Sequence, residues 1–206
     1  MSRRTGLPRH LLAATSLLFA VAVLGCGSFA GFGVSGQYLD GKREVTRGRG
    51  GNIDLGIVKL ENVVKQDPLY QDSLTLLGRA YYKRGRYKDS SQILLRAVAV
   101  NKDDETAWIM LGLTQMQLGD DQRGLESLKG GLSLLVRASK NGFKGIEFWD
   151  RNKIVATALR RTIFLATKGL EEKVNLIRQT EELLQRIDDE ERRGKGEQSW
   201  EEPGGY

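Results

Sequence analysis

Apolar residues recur at helical spacing through most of the chain after residue 52. Leu77, Tyr81, Leu94 and Leu111 fall on stripes with the three- and four-residue spacing that is typical of helices burying one face. Short polar or glycine-containing breaks separate these stripes. The pattern therefore predicts consecutive helices joined by short turns, which is an all-α fold.

The same pattern also repeats along the chain. A shift of 34 residues places Leu60 on Leu94 and Leu128, Leu74 on Trp108, Leu77-Gly78 on Leu111-Gly112, and Gly85 on Gly119. Gly78 and Gly112 permit two helices to approach closely, and Gly85 and Gly119 fit the turns that end the first helix of each unit. Because several residue types recur together at one offset, the sequence predicts a stack of repeats.

Residues 71–104 and 105–138 resemble the tetratricopeptide repeat, a helical hairpin with this period. The run over residues 78–87 is very similar to the family consensus, and residues 53–68 are similar to the second helix of an earlier repeat. The resemblance implies antiparallel helical hairpins that form a short α-solenoid. It predicts a half repeat plus two repeats over residues 52–138.

Two further helices are predicted after the repeats. Asp150 is placed to cap a helix that ends near residue 168, and Gly169 separates it from a second helix. A stack of hairpins needs a terminal pair with a polar outer face. We interpret residues 139–193 as a degenerate third hairpin that caps the solenoid, and we predict that residues 194–206 are disordered.

Charge separates between these two helices. Residues 139–169 carry a formal charge of +5 and residues 170–206 carry −5. Helices of opposite charge attract each other, so we expect the charges to complement each other within the chain. The run Asp188-Asp189-Glu190-Glu191 lacks the spacing and the glycine of a calcium-binding loop, and we interpret it as a solvated acidic cluster.

The first 25 residues have the layout of an export signal. Three arginines precede an apolar run of 14 residues at positions 11–24. A helix of that length reaches about 21 Å, less than a hydrocarbon core of about 30 Å, so a cleaved signal is favoured over a membrane-spanning helix. Ten of the 32 residues from 25 to 56 are glycine, and we predict that residues 26–51 form a flexible tether.

The signal ends in Val23-Leu24-Gly25-Cys26, which resembles the lipobox of bacterial lipoproteins. The resemblance implies that Cys26 becomes the lipid-modified first residue of the mature chain. Because Gly27, and not aspartate, follows the cysteine, it also implies a lipid anchor on the periplasmic side of the outer membrane in a Gram-negative cell. The alternatives are that Cys26 is a small residue of an ordinary signal or of an uncleaved anchor.

The composition argues against catalysis. His10 and Cys26 are the one histidine and the one cysteine of the chain, and both lie in its first 26 residues. A cysteine hydrolase, a Ser-His-Asp hydrolase and a His/Cys zinc site are therefore disfavoured. We predict no enzymatic activity, no metal and no cofactor. Removing residues 1–25 lowers the formal charge from +6 to +3, and nucleic acid is not an expected partner of an exported chain.

In the tetratricopeptide family, the first helices of successive repeats line a groove that binds peptides. Carried over by position, the resemblance implies a groove formed by Asp72, Thr75, Arg79, Tyr82 and Lys83 in one unit and by Thr106, Ile109, Leu113, Met116 and Gln117 in the next. A groove with one basic and one apolar half suits a peptide with acidic and hydrophobic side chains. The alternative is that the C-terminal helices cover the apolar half as core. For an open groove, replacing Arg79 and Lys83 by glutamate is expected to abolish partner capture without unfolding the chain.

Together these features predict a non-catalytic adaptor that binds a protein or peptide partner in the periplasm. Such a lipid-anchored scaffold would assist assembly of a pilus, a secretion channel or another envelope complex, and its architecture resembles that of pilotin-type lipoproteins. The alternative is a periplasmic accessory of a solute uptake system, similar to the repeat lipoproteins linked to some tripartite transporters. An enclosed pocket favours transport, whereas an open groove that retains a protein favours the adaptor.

Overall fold

The computed structural model describes residues 27–140, 150 and 152–201, with side chains for residues 33–139, 150 and 152–193. Within these ranges the chain forms eight α-helices: α1 (Gly27–Thr46), α2 (Ile53–Gln66), α3 (Ser73–Lys83), α4 (Tyr87–Val100), α5 (Glu105–Gln117), α6 (Asp121–Lys140), α7 (Ile154–Thr167) and α8 (Lys173–Glu201). The predicted all-α fold with tetratricopeptide-type hairpins and a C-terminal helix pair is confirmed.

Consecutive helices pair into four hairpins, α1 with α2, α3 with α4, α5 with α6, and α7 with α8. Helix α3 also contacts both α1 and α5, so that the first helices of the first three hairpins lie side by side. The side chains of α1, α3 and α5 that point away from α2, α4 and α6 line one face of the stack. We call this face the groove.

The prediction of a flexible tether is wrong for residues 27–46, which form α1. Tyr38 and Val45 are buried in one cluster with residues of α2 and α3. This apolar burial offsets the entropy cost of ordering a glycine-rich segment. Glu44 accepts a hydrogen bond from the backbone N–H of Asn52 at 2.8 Å, which ties the end of α1 to the start of α2.

Glycines set the close approach of the two helices within each hairpin. A Cβ atom on Gly41 would lie 2.7 Å from Leu60 Cγ, and one on Gly78 would lie 2.5 Å from Leu94 Cγ. A Cβ atom on Gly112 would lie 2.6 Å from the backbone of α6. These three glycines are therefore structurally equivalent. The first hairpin departs from the 34-residue register because its turn, residues 47–52, is longer than the turn at residues 84–86.

Neighbouring hairpins are joined at the start of the first helix of the following hairpin. The hydroxyl of Tyr38 donates to Asp72 at 2.5 Å, and the hydroxyl of Thr75 donates to Asp104 at 2.6 Å. The two acceptors are the N-cap residues of α3 and α5, and Asp104 also accepts from the backbone N–H of Ala107 at 2.8 Å. Each donor stands three residues before the close-contact glycine of its helix, so the same junction occurs twice.

The C-terminal hairpin is capped at its start and turned by a glycine. Asp150 accepts hydrogen bonds from two backbone N–H groups in the first turn of α7, both at 3.0 Å. Gly169 reverses the chain with φ of 73°. The prediction of a disordered tail is wrong for residues 194–201, which continue α8. Residues 202–206 lie outside the described residues.

Across the described ranges, no helix is both long enough and apolar enough to span a bilayer. The predicted signal, residues 1–25, and the predicted lipid attachment point, Cys26, lie outside the described residues.

Candidate functional site

Helix α8 lies along the groove and, from its middle towards its C-terminal end, contacts first α3 and then α1. Glu181 and Asp188 meet α3, whereas Glu191 and Arg192 meet α1. Two of these contacts join α8 to α1: Lys42 Nζ lies 3.9 Å from a carboxylate oxygen of Glu191, and Arg192 donates to the backbone carbonyl at residue 46 at 2.5 Å. The groove is therefore occupied by a helix of the same chain.

The central contact is a buried ion pair between α3 and α8. Arg79 donates from Nη1 to Oδ1 of Asp188 at 2.8 Å and from Nη2 to Oδ2. The two side chains are only 6% and 5% exposed. Burial raises the pKa of Asp188, and the positive charge of Arg79 opposes that rise. Because two parallel N–H···O bonds fix the relative position of both groups, this pair sets the register of α8 in the groove.

Tyr82 supplies a second polar contact to α8. Its hydroxyl donates to Glu181 at 2.6 Å, and Gln117 Nε2 lies 3.4 Å from the same oxygen. Burial of the ring and the hydrogen bond to Glu181 raise the pKa of Tyr82. The phenol therefore stays protonated at neutral pH and acts as a donor towards an acid on the helix in the groove.

Lys83 lies beside this contact but bonds within the stack. Its Nζ donates to the backbone carbonyl of Val45 at 2.6 Å, although much of the side chain is exposed. Desolvation of the ammonium and the nearby charge of Arg79 lower the pKa of Lys83 to about 8. The ammonium is thus still mostly protonated at neutral pH and adds to the positive charge of α3.

The apolar half of the predicted groove is core. Ile109 and Leu113 are fully buried and Met116 is 1% exposed. They share one buried cluster with Leu176 and Leu183 of α8. The alternative left open by the sequence, that the C-terminal helices cover these positions, is what the structure shows, and an open apolar groove is not present here.

The remaining predicted groove residues have mixed roles. Asp72 and Thr75 form the junctions between hairpins, although both also line a cavity of about 290 Å³ together with Thr106 and Asp188. Gln117 is exposed at the rim, next to Tyr82. The structure therefore places the predicted groove residues beneath α8. Several of them stabilise the fold and do not face solvent.

The prediction of a solvated acidic cluster at residues 188–191 is wrong for Asp188 and Glu190, which are buried. Asp188 pairs with Arg79, and Glu190, which is 4% exposed, lies 2.7 Å from Arg193. The neighbouring Asp189 pairs with another arginine of α8. The acids of this run are thus paired with basic groups of α3, of α1 and of α8 itself. These ion pairs of the described residues join α8 to α1 and α3 or lie within α8, and not between the two C-terminal helices for which complementarity was expected.

The sequence also suggested that Arg79 and Lys83 could be changed to glutamate without unfolding the chain. The buried pair contradicts this expectation, because a glutamate at position 79 would face Asp188 at low exposure. Like charges at a buried site are strongly unfavourable. This double variant cannot separate loss of binding from loss of structure.

Sequence reasoning missed the part of the groove that α1 provides. Lys42 stands one residue after Gly41, the same place that Arg79 occupies after Gly78, and it contacts both Asp72 and Glu191. The sequence feature that could have identified α1 is the pairing of Gly41 with Leu60, which is equivalent to the pairing of Gly78 with Leu94. The longer first turn moved this signal out of the 34-residue register.

Beyond the groove, an apolar cavity of about 670 Å³ lies between α6 and α7 and is lined mainly by Leu132, Val136, Ile163 and Ala166. Among the side chains described, no group of three or more histidine, cysteine or carboxylate residues is placed to hold a metal ion. The chemistry that this site offers is recognition through charged, hydroxyl and apolar side chains.

Comparison with known proteins agrees with this architecture. The family model for the tetratricopeptide repeat matches residues 50–128, which span α2 to α5 and the beginning of α6. Tetratricopeptide repeats generally mediate protein–protein interactions. No curated protein and no solved structure matches the chain significantly.

Proposed function

We propose that this chain is a non-catalytic adaptor, a tetratricopeptide-repeat scaffold that is anchored by lipid in the bacterial envelope and binds a protein partner. The observation that carries the proposal is that three stacked hairpins form a groove able to hold a helix through charged and hydroxyl groups, as it holds α8. The match of residues 50–128 to a repeat that mediates protein interactions supports it.

The proposed location rests on the sequence that precedes the fold. Arginines followed by a short apolar run are typical of an export signal. The lipobox-like ending supports lipid attachment at Cys26, and more than one acyl chain at a site gives stable membrane anchoring. With Gly27 next to the cysteine, we place the mature chain on the periplasmic side of the outer membrane.

The first experiment tests the anchor. Cells that express the wild-type chain, Cys26→Ser or the matched control Ser28→Ala are grown with radiolabelled palmitate and then fractionated. We expect label and outer-membrane fractionation for the wild type and for Ser28→Ala, and loss of both for Cys26→Ser. An unlabelled wild-type chain would contradict the anchor.

The second experiment tests the adaptor role. Whole cells expressing the wild-type chain are crosslinked, and captured proteins are identified by mass spectrometry against cells that lack it. We expect a reproducible partner belonging to one envelope complex, such as a pilus or secretion channel. Capture that is the same in cells lacking the chain would contradict this role.

A solute-uptake accessory is the second candidate, and the cavity between α6 and α7 favours it. Its apolar lining would suit a small apolar solute. Native mass spectrometry of the purified chain distinguishes the two functions, because an uptake component should carry a bound small molecule whereas the adaptor should have the mass of the lipidated chain alone.

A further inference from the structure

We propose that α8 is a displaceable ligand of the groove, and that the partner inserts an amphipathic helix with acids at the positions of Glu181, Asp188 and Glu191 and a leucine at that of Leu184. This proposal rests on the adaptor function and names the chemistry of its partner. The competing occupants, a second copy of this chain or no external helix at all, are outcomes of the test below.

Helix α8 presents two faces with different chemistry. Residues 181, 184, 188 and 191 follow the spacing of one helical stripe, and this stripe meets the polar side chains of α1 and α3. A second stripe contains Leu176, Thr180 and Leu183, all fully buried. On that side the backbone carbonyl of residue 179 accepts from Thr162 of α7. The polar face meets α1 and α3, whereas the apolar face packs against α7 and shares a core cluster with α5. Release of the polar face from α1 and α3 therefore does not require loss of the contact with α7.

The groove requires an acid on whatever helix occupies it. Arg79 cannot lose its proton, and a helix that covers it without a carboxylate leaves a buried charge unpaired. Lys42 and Lys83 add positive charge on either side of Arg79. Tyr82 donates its hydroxyl and thus also selects an acceptor. Charge complementarity therefore favours an acidic helix and rejects a basic or neutral one.

The contacts on this face are suited to exchange between two helices. The net contribution of a buried ion pair to stability is small, because desolvation of both ions offsets their attraction. A cavity of about 360 Å³ remains between α3, α5 and α8, lined among others by Tyr82, Leu184 and Gln185, so packing there is incomplete and dispersion contacts are lost. A partner helix with the same acids can replace these contacts one for one.

The test uses the full chain and a fluorescent peptide with the sequence of residues 173–193. Binding is measured by fluorescence anisotropy to the wild type and to Asp188→Ala, which weakens docking of α8 in the chain. Because apparent affinity scales with the fraction of open groove, we expect the peptide to bind Asp188→Ala at least about tenfold more tightly than the wild type.

Two altered peptides serve as matched controls. A peptide with Asp188→Ala should lose binding to the Asp188→Ala chain, whereas Glu182→Gln should retain it, since Glu182 pairs with Arg186 on its own helix. If circular dichroism shows that the Asp188→Ala chain is unfolded, the milder chain variant Glu181→Gln/Glu191→Gln replaces it with the same expectations.

Three results would overturn the proposal: no peptide binding by a folded variant, equal binding of the parent and Asp188→Ala peptides, or a dimer in which copies exchange α8. The last result would identify the occupant as a second copy. Each of them leaves the palmitate labelling and the crosslinking in cells unaffected, so failure of this inference is distinguishable from failure of the adaptor role.

Discussion

The buried pair between Arg79 and Asp188 makes the sharpest prediction about the fold. We consider the single variants Arg79→Met and Asp188→Leu and the double variant that combines them. Each single variant leaves one charged group nearly buried without its partner, since the two side chains are 6% and 5% exposed. The double variant replaces both ions by apolar side chains of comparable size.

The expected magnitudes follow from this burial. Removing one partner of a buried ion pair costs about 3–5 kcal/mol, whereas replacing both by packed apolar groups is roughly neutral. A loss of that size is a large part of the total of about 5–15 kcal/mol expected for a domain. The measured loss of stability has an upper limit. When keeping the unpaired charge buried costs more free energy than undocking α8, the helix undocks and the charge returns to water.

The assay is urea denaturation followed by far-ultraviolet circular dichroism, combined with hydrogen exchange of α8. The control variant is Arg186→Met, which removes an ion pair with Glu182 on the same helix at 42% and 41% exposure. That exposed pair should contribute about 0.5 kcal/mol or less. The reasoning is refuted if either single variant costs less than about 1 kcal/mol, a value typical of exposed pairs, or if the double variant is no more stable than the singles.

The other predictions concern packing, capping and pH. Gly78→Ala should lower the free energy of unfolding by about 1–3 kcal/mol because its Cβ would overlap α4. The control Gly130→Ala, whose Cβ would have nothing within 4 Å, should raise the free energy of unfolding by about 0.5–1 kcal/mol. Equal effects of the two variants in urea denaturation would contradict the close packing. Asp104→Ala should cost about 1 kcal/mol or more because it removes a helix cap and an inter-hairpin bond, and no change in the urea midpoint would argue against that junction. Burial and acceptor carboxylates raise the pKa values of Tyr38 and Tyr82. The stability that these two tyrosines contribute is therefore present below pH 10, the ordinary tyrosine pKa, and is lost as the pH rises above it. Titration of all six tyrosines near pH 10 in the folded chain would disprove this.

The sequence predicted the fold correctly where the helices keep the 34-residue repeat period, and it failed where they do not. The 34-residue offset located α3 to α6 because apolar and glycine positions recur there at constant spacing. The same offset failed for α1, whose turn into α2 is longer and whose helix carries Asp40 and Glu44 where α3 carries Leu77 and Tyr81. Composition then favoured a tether, since ten glycines in a short stretch outweighed a few buried side chains.

The site was harder to predict than the fold. Family resemblance identified Arg79 and Tyr82 as groove residues, and the structure places both beneath a helix. The identity of that helix depends on contacts over 109 residues in the case of Asp188, a separation that local patterns do not report. A run of four acids is ordinarily solvated, and only the position of α8 shows that Asp188 is buried.

The repeated junction between hairpins has a consequence for how the stack comes apart. In each case a side chain of one hairpin bonds the residue at the N-cap position of the next hairpin's first helix, so loss of the Tyr38 or Thr75 contact also frees the start of that helix. In a linear array this couples neighbouring units strongly, and strong coupling suppresses states in which one hairpin is open and its neighbours are closed. We therefore expect the first three hairpins to melt in a single transition, and a pulling force applied near residue 33 to encounter one barrier and not a series of three.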